Sequence, residues 1–306
     1  MKQRAIGVLF PGQGSQSSGM GKPYQDFISL FRDNFELASE LLGLDLWKLI
    51  TEDDSGKLNQ TEYTQPAIFT LNASLYQLWL DRGGEPPGYA VGHSLGEYNA
   101  LVAAGILKFD AALRLVVKRG QLMSNVDVIG SMAAIIGLNL EQLSDLCERS
   151  SKKLNLVVEC ANINTSDQIV IAGNTDAINI VCEEAKVLGA KRAVKLDVSV
   201  PSHCSLMLPV AEKLKKTFAI ENFNVPTSKV VFIQNVDAQE SNNPEKIQEN
   251  LLSQLHMPVR WHETILRLMN LGCYEFIECG SGKILTNITK RIDKGIKVNS
   301  FSVPNI

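Results

Sequence analysis

A serine stands at the centre of a Gly-x-Ser-x-Gly motif, GHSLG at 92–96, and Ser94 is the candidate nucleophile. The motif follows a short strand-like run and precedes a helical pattern, which is the setting of a nucleophile elbow. Glycines allow a sharp turn without Cβ clashes, and the N-terminus of the next helix directs backbone N–H groups at the serine. The N–H of Leu95 is then placed to bind an oxyanion, so the motif predicts acyl chemistry. A chance match is the alternative interpretation.

A serine nucleophile needs a base to remove its proton, and the chain has four histidines. We predict that His203 is this base, because it follows a predicted strand at the edge of the sheet where α/β sites form; a solvated loop histidine is the alternative. Asp197 lies within a predicted strand, without the loop of a triad acid. The sequence therefore allows a dyad, with the imidazole oriented by an amide or a backbone carbonyl, and Gln254 is the candidate for this support. His93 is interpreted as a packing residue, and Cys204 is a minor rival nucleophile.

Arg119 is a charged residue on the apolar face of a predicted helix at 110–124. With about 3.6 residues per turn, Leu115, Leu122 and Met123 surround it. A buried charge needs a partner. The partner is either an internal acid or a substrate carboxylate, which a guanidinium holds through two parallel hydrogen bonds. The second interpretation predicts a small acyl group that carries a carboxylate.

A glycine-rich loop, FPGQGSQ at 10–16, follows the first predicted strand. It begins like the dinucleotide motif GxGxxG, but Ser17 takes the place of the last glycine, so this interpretation is weak. A second segment, GSGK at 280–283, resembles the end of a P-loop but lacks the residues which that motif requires on both sides. We expect instead that the backbone of Gln13 approaches the serine and supplies a second oxyanion donor.

Strand-like and helical runs alternate along the whole chain, which predicts an α/β fold. The predicted strands are 5–10, 89–91, 130–137, 156–161, 168–172, 193–198, 229–235 and 274–278. The predicted helices are 66–80, 95–104, 110–124, 139–150, 175–188, 205–218, 244–255 and 261–271. Between 126 and 198 the order is β-α-β-β-α-β, that of the split βαβ or ferredoxin-like unit. We therefore predict a small domain at 126–198 inside a discontinuous large domain, 1–125 and 199–306, with the site in the cleft between them.

Composition narrows the classes of function. The 306 residues can bury a large core, and the 45% share of hydrophobic residues is ordinary for a globular protein. The net charge of -3, without a Lys/Arg cluster, speaks against nucleic acid as a partner. Six cysteines without a C-x-x-C pair are expected to be reduced thiols. No apolar run is long enough for a signal-peptide core or a membrane span. We expect a cytoplasmic protein, favour a monomer, and predict no membrane contact, cofactor or metal.

Taken together, these motifs resemble the malonyl-CoA:acyl-carrier-protein transacylase family over nearly the whole chain. The segments that carry the likeness are FPGQGSQ at 10–16, GHSLGEY at 92–98, RGQLM at 119–123, GSMAA at 130–134, NIN at 162–164, QIVIAG at 168–173, SVPSHC at 199–204, QL at 254–255, PVRW at 258–261 and ECGSGK at 278–283. So many motifs in order make a chance likeness negligible.

The resemblance implies an α/β fold with a hydrolase-like parallel-sheet core and an inserted ferredoxin-like α+β subdomain, in agreement with the order of the predicted elements. Carried over position by position, it implies that Ser94 is acylated and that His203 is its base. It also implies that Gln254 helps to hold His203.

For the substrate, the resemblance implies that Arg119 binds the malonyl carboxylate and that the backbone N–H groups of Gln13 and Leu95 form the oxyanion hole. The implied reaction is a ping-pong transfer of malonyl from malonyl-CoA to the phosphopantetheine thiol of an acyl carrier protein, for fatty-acid or polyketide synthesis. Two rival hypotheses are a thioester hydrolase on the same scaffold and a non-catalytic module that docks on carrier proteins. Arg119 argues against the first, and the intact set of Ser94, His203 and Arg119 argues against the second.

Overall fold

The computed structural model describes residues 6–54, 56–198, 200–226 and 228–301. The strands are β1 Ile6–Phe10, β2 Tyr89–Gly92, β3 Gly130–Ile136, β4 Val158–Ile163, β5 Gln168–Asn174, β6 Arg192–Lys195, β7 Val231–Phe232, β8 Glu275–Glu278 and β9 Lys297–Ser300. The α-helices are α1 Ile28–Leu42, α2 Leu46–Thr51, α3 Thr61–Asp81, α4 Gly96–Ala103, α5 Phe109–Ser124, α6 Leu140–Leu154, α7 Thr175–Val187, α8 Leu208–Phe218, α9 Pro244–Ser253, α10 Trp261–Asn270 and α11 Ile284–Lys290. Short 3₁₀ helices span Lys22–Phe27, Lys57–Asn59 and Ser205–Met207.

The larger sheet has the strand order β7-β2-β1-β8-β9, and every neighbouring pair in it is parallel. Parallel strands are covered on both faces, which is why β1 is a nearly continuous apolar and buried run. Since β7, β2 and β1 are adjacent and parallel, their carboxyl ends meet at one edge of the sheet. The chain segments that follow them, 11–16, 93–95 and 233–235, are therefore neighbours.

The smaller sheet is antiparallel, with the order β4-β5-β3-β6. This is the split βαβ arrangement expected from the sequence, with α6 and α7 packed against the strands. A separate apolar core lies between these helices and the strands. One parallel and one antiparallel sheet confirm the predicted α/β fold class with a ferredoxin-like α+β part.

The smaller sheet is joined to the rest of the chain at Val259, in the segment before α10, and a cleft of about 330 Å³ lies between the two parts. The N–H of Ile163 in β4 donates to the carbonyl of Val259 (2.9 Å), and the N–H of Val259 donates to the carbonyl of Ala161 (2.9 Å). Residues from both parts of the chain line the cleft. The domain limits at 125/126 and 198/199 remain a prediction, and Ser199 lies outside the described residues.

Some predicted elements differ from the observed ones. The predicted strand 193–198 is Arg192–Lys195, and 229–235 shrinks to Val231–Phe232. The helix predicted to start at Pro66 begins at Thr61, because the backbone of its first turn packs against Gly120 of α5. Helices α1, α2 and α11 and strand β9 were not predicted, and Ala5 of the first predicted strand lies outside the described residues. None of the helices in the described part of the chain is both long and apolar enough to cross a bilayer.

Candidate active site

Ser94 lies in the tight turn between β2 and α4. Its φ of 52° is in the left-handed region that non-glycine residues rarely adopt, a strain typical of nucleophile elbows. The turn is pressed against the end of β1: the N–H of His93 donates to the carbonyl of Phe10 (3.0 Å), and a Cβ at Gly96 would lie 2.0 Å from the same oxygen. Glycine is required at 96 because no side-chain atom fits there. The strained turn holds the serine hydroxyl at the edge of the sheet.

His203 reaches Ser94, with 2.7 Å between its Nε2 and the serine Oγ. Its Nδ1 lies 2.6 Å from the main-chain carbonyl of Gln254 and must donate to it, which leaves Nε2 free to accept the serine proton. Burial, followed by the charge of Arg119, lowers the pKa of His203 to about 3, so the imidazole is neutral. Asp197 is exposed, and no carboxylate in the described residues is hydrogen-bonded to His203. The arrangement is a dyad supported by a carbonyl.

Arg119 is buried beside this dyad, with 1% of its surface exposed. Its Nη1 donates to Oε1 of Gln65 (2.6 Å), and its Nη2 lies 3.2 Å from Oε1 of Gln254 and 3.3 Å from Oγ of Ser94. Its Nε finds no hydrogen-bond partner among the described residues. Over residues 6–54, 56–198, 200–226 and 228–301 no acid forms an ion pair with this guanidinium. The internal salt bridge, the alternative considered from the sequence, is therefore absent from the described residues, and neutral amides hold the charge.

The glycine-rich loop after β1 packs against the turn. A Cβ at Gly12 would lie 2.4 Å from the carbonyl oxygen of His93 and 3.5 Å from the N of Leu95. The side chain of Gln13 points to Thr61, with 3.1 Å from Nε2 to Oγ1. Within the described residues, the N–H groups of Gln13 and Leu95 donate to no other group. The loop thus packs against the turn, and Gln13 lines the same cleft as Ser94. The oxyanion roles of the two N–H groups stay a prediction.

Gln254 lies at the centre of the site, but its contact with His203 is through its main chain, and its side chain contacts other groups. Besides accepting from Arg119, its amide Nε2 donates to the carbonyl of Ser94 (3.0 Å) and to Oε2 of Glu97 (2.5 Å). The sequence offered either an amide or a backbone carbonyl as the support for the base, and the structure has the carbonyl.

Two polar residues of the site were not predicted. Asn235 accepts from the N–H of Ser94 (2.8 Å) and donates to the carbonyl of Gly92 (2.7 Å), so it brackets the turn. Gln65 holds Arg119 from α3. Their positions in the sequence could have indicated them: Asn235 is the last residue of the predicted strand 229–235, and Gln65 is a polar residue at the start of an apolar helix.

His93 and Cys204 do not join the dyad. His93 is half-buried, with Nε2 2.9 Å from Oδ1 of Asn164 and its ring 5.5 Å from that of Trp261, which agrees with a packing role. The thiol of Cys204 is buried and donates to the carbonyl of Pro201 (3.1 Å). Burial raises the pKa of Cys204 to about 12, so this thiol is not a competent nucleophile.

The sequence as a whole matches a known family. The family model described as the acyl transferase domain covers residues 8–299. The malonyl CoA-acyl carrier protein transacylase of Escherichia coli strain K12 is 41% identical over 299 residues, which are 97% of this chain and 96% of that protein. The protein of the same name from Bacillus subtilis strain 168 is 40% identical over 301 residues, 98% of this chain and 94% of its own.

Solved structures agree with the sequence matches. The malonyl CoA-acyl carrier protein transacylase of Coxiella burnetii superposes with a TM-score of 0.93 at 41% identity, over 98% of this chain and 94% of that one. A malonyl-transacylase solved in complex with its type II PKS acyl-carrier protein superposes with a TM-score of 0.92 at 38% identity, over 97% and 96% of the two chains. By identity and by fold, the chain belongs to the acyl transferase family and, within it, to the malonyl CoA-acyl carrier protein transacylases.

Proposed function

We propose that this protein transfers a malonyl group from malonyl-CoA to the phosphopantetheine thiol of an acyl carrier protein. The observation that carries the proposal is the charge of Arg119, buried 3.3 Å from the hydroxyl of Ser94; among the described residues it is hydrogen-bonded to amide oxygens and to that hydroxyl, and no acid forms an ion pair with it. A buried guanidinium without an acid favours a ligand that brings a carboxylate. A malonyl thioester carries one, two bonds from the carbon under attack.

The reaction proceeds in two half-reactions. Ser94 attacks the thioester carbon while Nε2 of His203 takes the hydroxyl proton, and the N–H groups of Leu95 and Gln13 stabilise the oxyanion. The carbon–sulfur bond breaks, the imidazolium protonates the sulfur, and CoA leaves a malonyl-serine. The carrier thiol then gives its proton to His203 and attacks the ester carbon. The bond to Oγ of Ser94 breaks, and the imidazolium returns the proton to that oxygen, which restores the free serine.

Selectivity follows from the same charge. An acetyl group leaves the guanidinium without its carboxylate, and a buried unpaired charge is costly, so uncharged acyl groups are disfavoured. The comparisons do not support the thioester hydrolase considered from the sequence, and the acyl carrier protein of the relatives' names supports a carrier as the acceptor. We further propose that the protein acts as a cytoplasmic monomer.

The proposal is tested by mixing the protein with a panel of acyl-CoAs and measuring its intact mass. Malonyl-CoA should add one malonyl group, acetyl-CoA should add far less, and a carrier protein should remove the label. Ser94→Ala should take no label. Arg119→Ala should lower malonyl transfer by roughly 100-fold, with little loss of acetyl transfer, because it removes a charge-paired contact.

Three results would contradict the proposal: equal labelling of Ser94→Ala, an unchanged acyl preference in Arg119→Ala, or release of free malonate in the absence of a carrier as fast as transfer in its presence. The last result would revive the hydrolase.

A further inference from the structure

Glu97 is a buried carboxyl group that the proposed reaction does not use. It is the second residue of α4, three positions after Ser94, and 1% of its surface is exposed. Its Oε2 accepts from Nε2 of Gln254 (2.5 Å) and its Oε1 from the N–H of Asn235 (3.3 Å). In the described parts of the chain, Glu97 has no basic side chain within ion-pair distance. A buried acid without a basic partner invites an explanation by function.

The amide of Gln254 has a donor end and an acceptor end, and the direction in which it points decides what Arg119 meets. The donor end, Nε2, faces Glu97 and the carbonyl of Ser94, while the acceptor end, Oε1, lies 3.2 Å from Nη2 of Arg119. If the Gln254 amide rotated by about 180°, its NH₂ group would face the guanidinium of Arg119. Two hydrogen-bond donors would then face each other without an acceptor. The shortest contact that fixes the direction is the one with Glu97.

The two other acceptors near Nε2, Oδ1 of Asn235 and the carbonyl of Ser94, are both shared with other donors. Oδ1 of Asn235 is 3.4 Å from Nε2 of Gln254 and already accepts from the N–H of Ser94 at 2.8 Å. The carbonyl of Ser94 also receives the N–H of Glu97 (3.0 Å). Burial raises the pKa of Glu97 to about 8, and in either protonation state the carboxyl keeps an oxygen that accepts from Gln254.

We infer that Glu97 is a positioning residue for acyl-group selection: it fixes the direction of the Gln254 amide, and through it the orientation of Arg119 toward the substrate carboxylate. Glu97 touches neither the substrate nor the reacting atoms. This inference rests on the proposed function, because it needs a malonyl group that Arg119 recognises. Glu97 then contributes to the choice of acyl group and not to the chemical step.

The test compares transfer from malonyl-CoA and acetyl-CoA in Glu97→Leu, which has no acceptor for Gln254. We expect the malonyl-to-acetyl ratio of kcat/KM to fall about tenfold, through a higher KM for malonyl-CoA, while acetyl transfer is kept. Glu97→Gln, whose carbonyl can still accept from Gln254, should restore most of the ratio. In the Arg119→Ala background, Glu97→Leu should lower the ratio no further, because both act on one contact.

A matched control separates positioning from stability. Glu278 is also fully buried and accepts the N–H groups of Leu285 (3.0 Å) and Thr286 (2.7 Å) at the start of α11. We expect both Glu278→Leu and Glu97→Leu to lower thermal stability, but Glu278→Leu should leave the acyl ratio unchanged.

Several outcomes would overturn the inference: an unchanged ratio in folded Glu97→Leu, the same fall in Glu278→Leu, or an equal loss of malonyl and acetyl transfer. If Glu97→Leu does not fold, Glu97→Asp takes its place, because its side chain is one methylene shorter and its carboxyl group no longer reaches Gln254. An unchanged ratio in that variant also counts against the inference. If the wild-type protein takes no malonyl group, the proposed function itself is contradicted. That result is distinct from a failure of the inference, in which the wild-type protein is labelled but the variants keep its acyl ratio.

Discussion

At the scale of single residues, the site depends on which atoms of Gln254 meet which neighbours. Its carbonyl oxygen fixes the tautomer of His203, and its side chain faces Arg119, so one residue connects the proposed base and the proposed carboxylate receiver. The dyad needs no acid, because a carbonyl that accepts from Nδ1 sets the tautomer without adding a negative charge. The support of the base therefore places no carboxylate between Arg119 and the serine.

The buried environment of His203 predicts how the rate of malonyl-serine formation depends on pH. Burial, and then the charge of Arg119, lowers the pKa of His203 from 6.5 to about 3. An ordinary imidazole gains a proton below 6.5 and stops acting as a base, whereas His203 stays neutral well below that pH. We therefore expect the rate of malonyl-serine formation to stay level as the pH is lowered through 6.5.

Quenched-flow labelling with malonyl-CoA measures that rate, and near-UV circular dichroism defines the pH range in which the fold is intact. This range has a lower limit, because the unfolded chain binds the His203 proton first and stability falls as the pH drops from 6.5 toward 3. A decline of about tenfold per pH unit starting at 6.5 would show an unshifted base instead.

At the scale of elements, the site is where the ends of three adjacent parallel strands meet. Strand β2 supplies the turn with Ser94, the loop after β1 packs against that turn, and the segment after β7 brings Asn235. Helix α5 contributes Arg119 from outside this edge. Its Gly120 lets α3 approach closely enough for Gln65 to reach the guanidinium.

The contact between the turn and β1 predicts the effect of one methyl group. In Gly96→Ala the new Cβ would lie 2.0 Å from the carbonyl oxygen of Phe10, where main chain meets main chain and neither side can yield cheaply. We expect a loss of about 3 kcal/mol or more in the free energy of unfolding, together with loss of serine labelling. Urea denaturation measures the first effect and intact mass the second.

Gly295→Ala is the control, since residue 295 is exposed and its Cβ would meet only the Asp293 carboxylate, at 3.1 Å. It should change stability by less than about 0.5 kcal/mol. Similar stability of the two variants would mean that the turn is not pressed against β1.

At the scale of the whole molecule, residues from the parallel-sheet part and from the antiparallel-sheet part line one cleft. Glu159 of β4 accepts from the N–H (2.9 Å) and the hydroxyl (2.6 Å) of Ser205, two residues after His203, so the smaller sheet also supports the segment that carries the base.

The proposed monomer predicts a result in solution. We expect sedimentation equilibrium to give the mass of one chain, and the transfer rate per mole of enzyme to be independent of enzyme concentration. A dimer whose dissociation removes activity would contradict this. A dimer with the same activity per chain would correct the state of assembly but leave the site as described.

Local sequence patterns determined several of the elements of this protein and the position of its candidate nucleophile. The strand, tight turn and helix around Ser94 are visible in the sequence because glycine and apolar spacing act over a few residues. The same holds for the β-α-β-β-α-β order and for the apolar face that carries Arg119. The α/β fold class is confirmed, and so is the transacylase family that the ordered motifs resemble.

Only the tertiary structure decided which groups meet. The distance in sequence from Gln254 to Ser94, Glu97 and Arg119 exceeds 130 residues, and no local pattern tells whether an amide or its main-chain carbonyl faces the imidazole. Nor could the sequence choose between an acid and a substrate as the partner of Arg119, because burial of a charge requires a partner without naming it. That choice depends on which side chains the strand ends and helices bring within hydrogen-bond distance, a property of packing between distant segments.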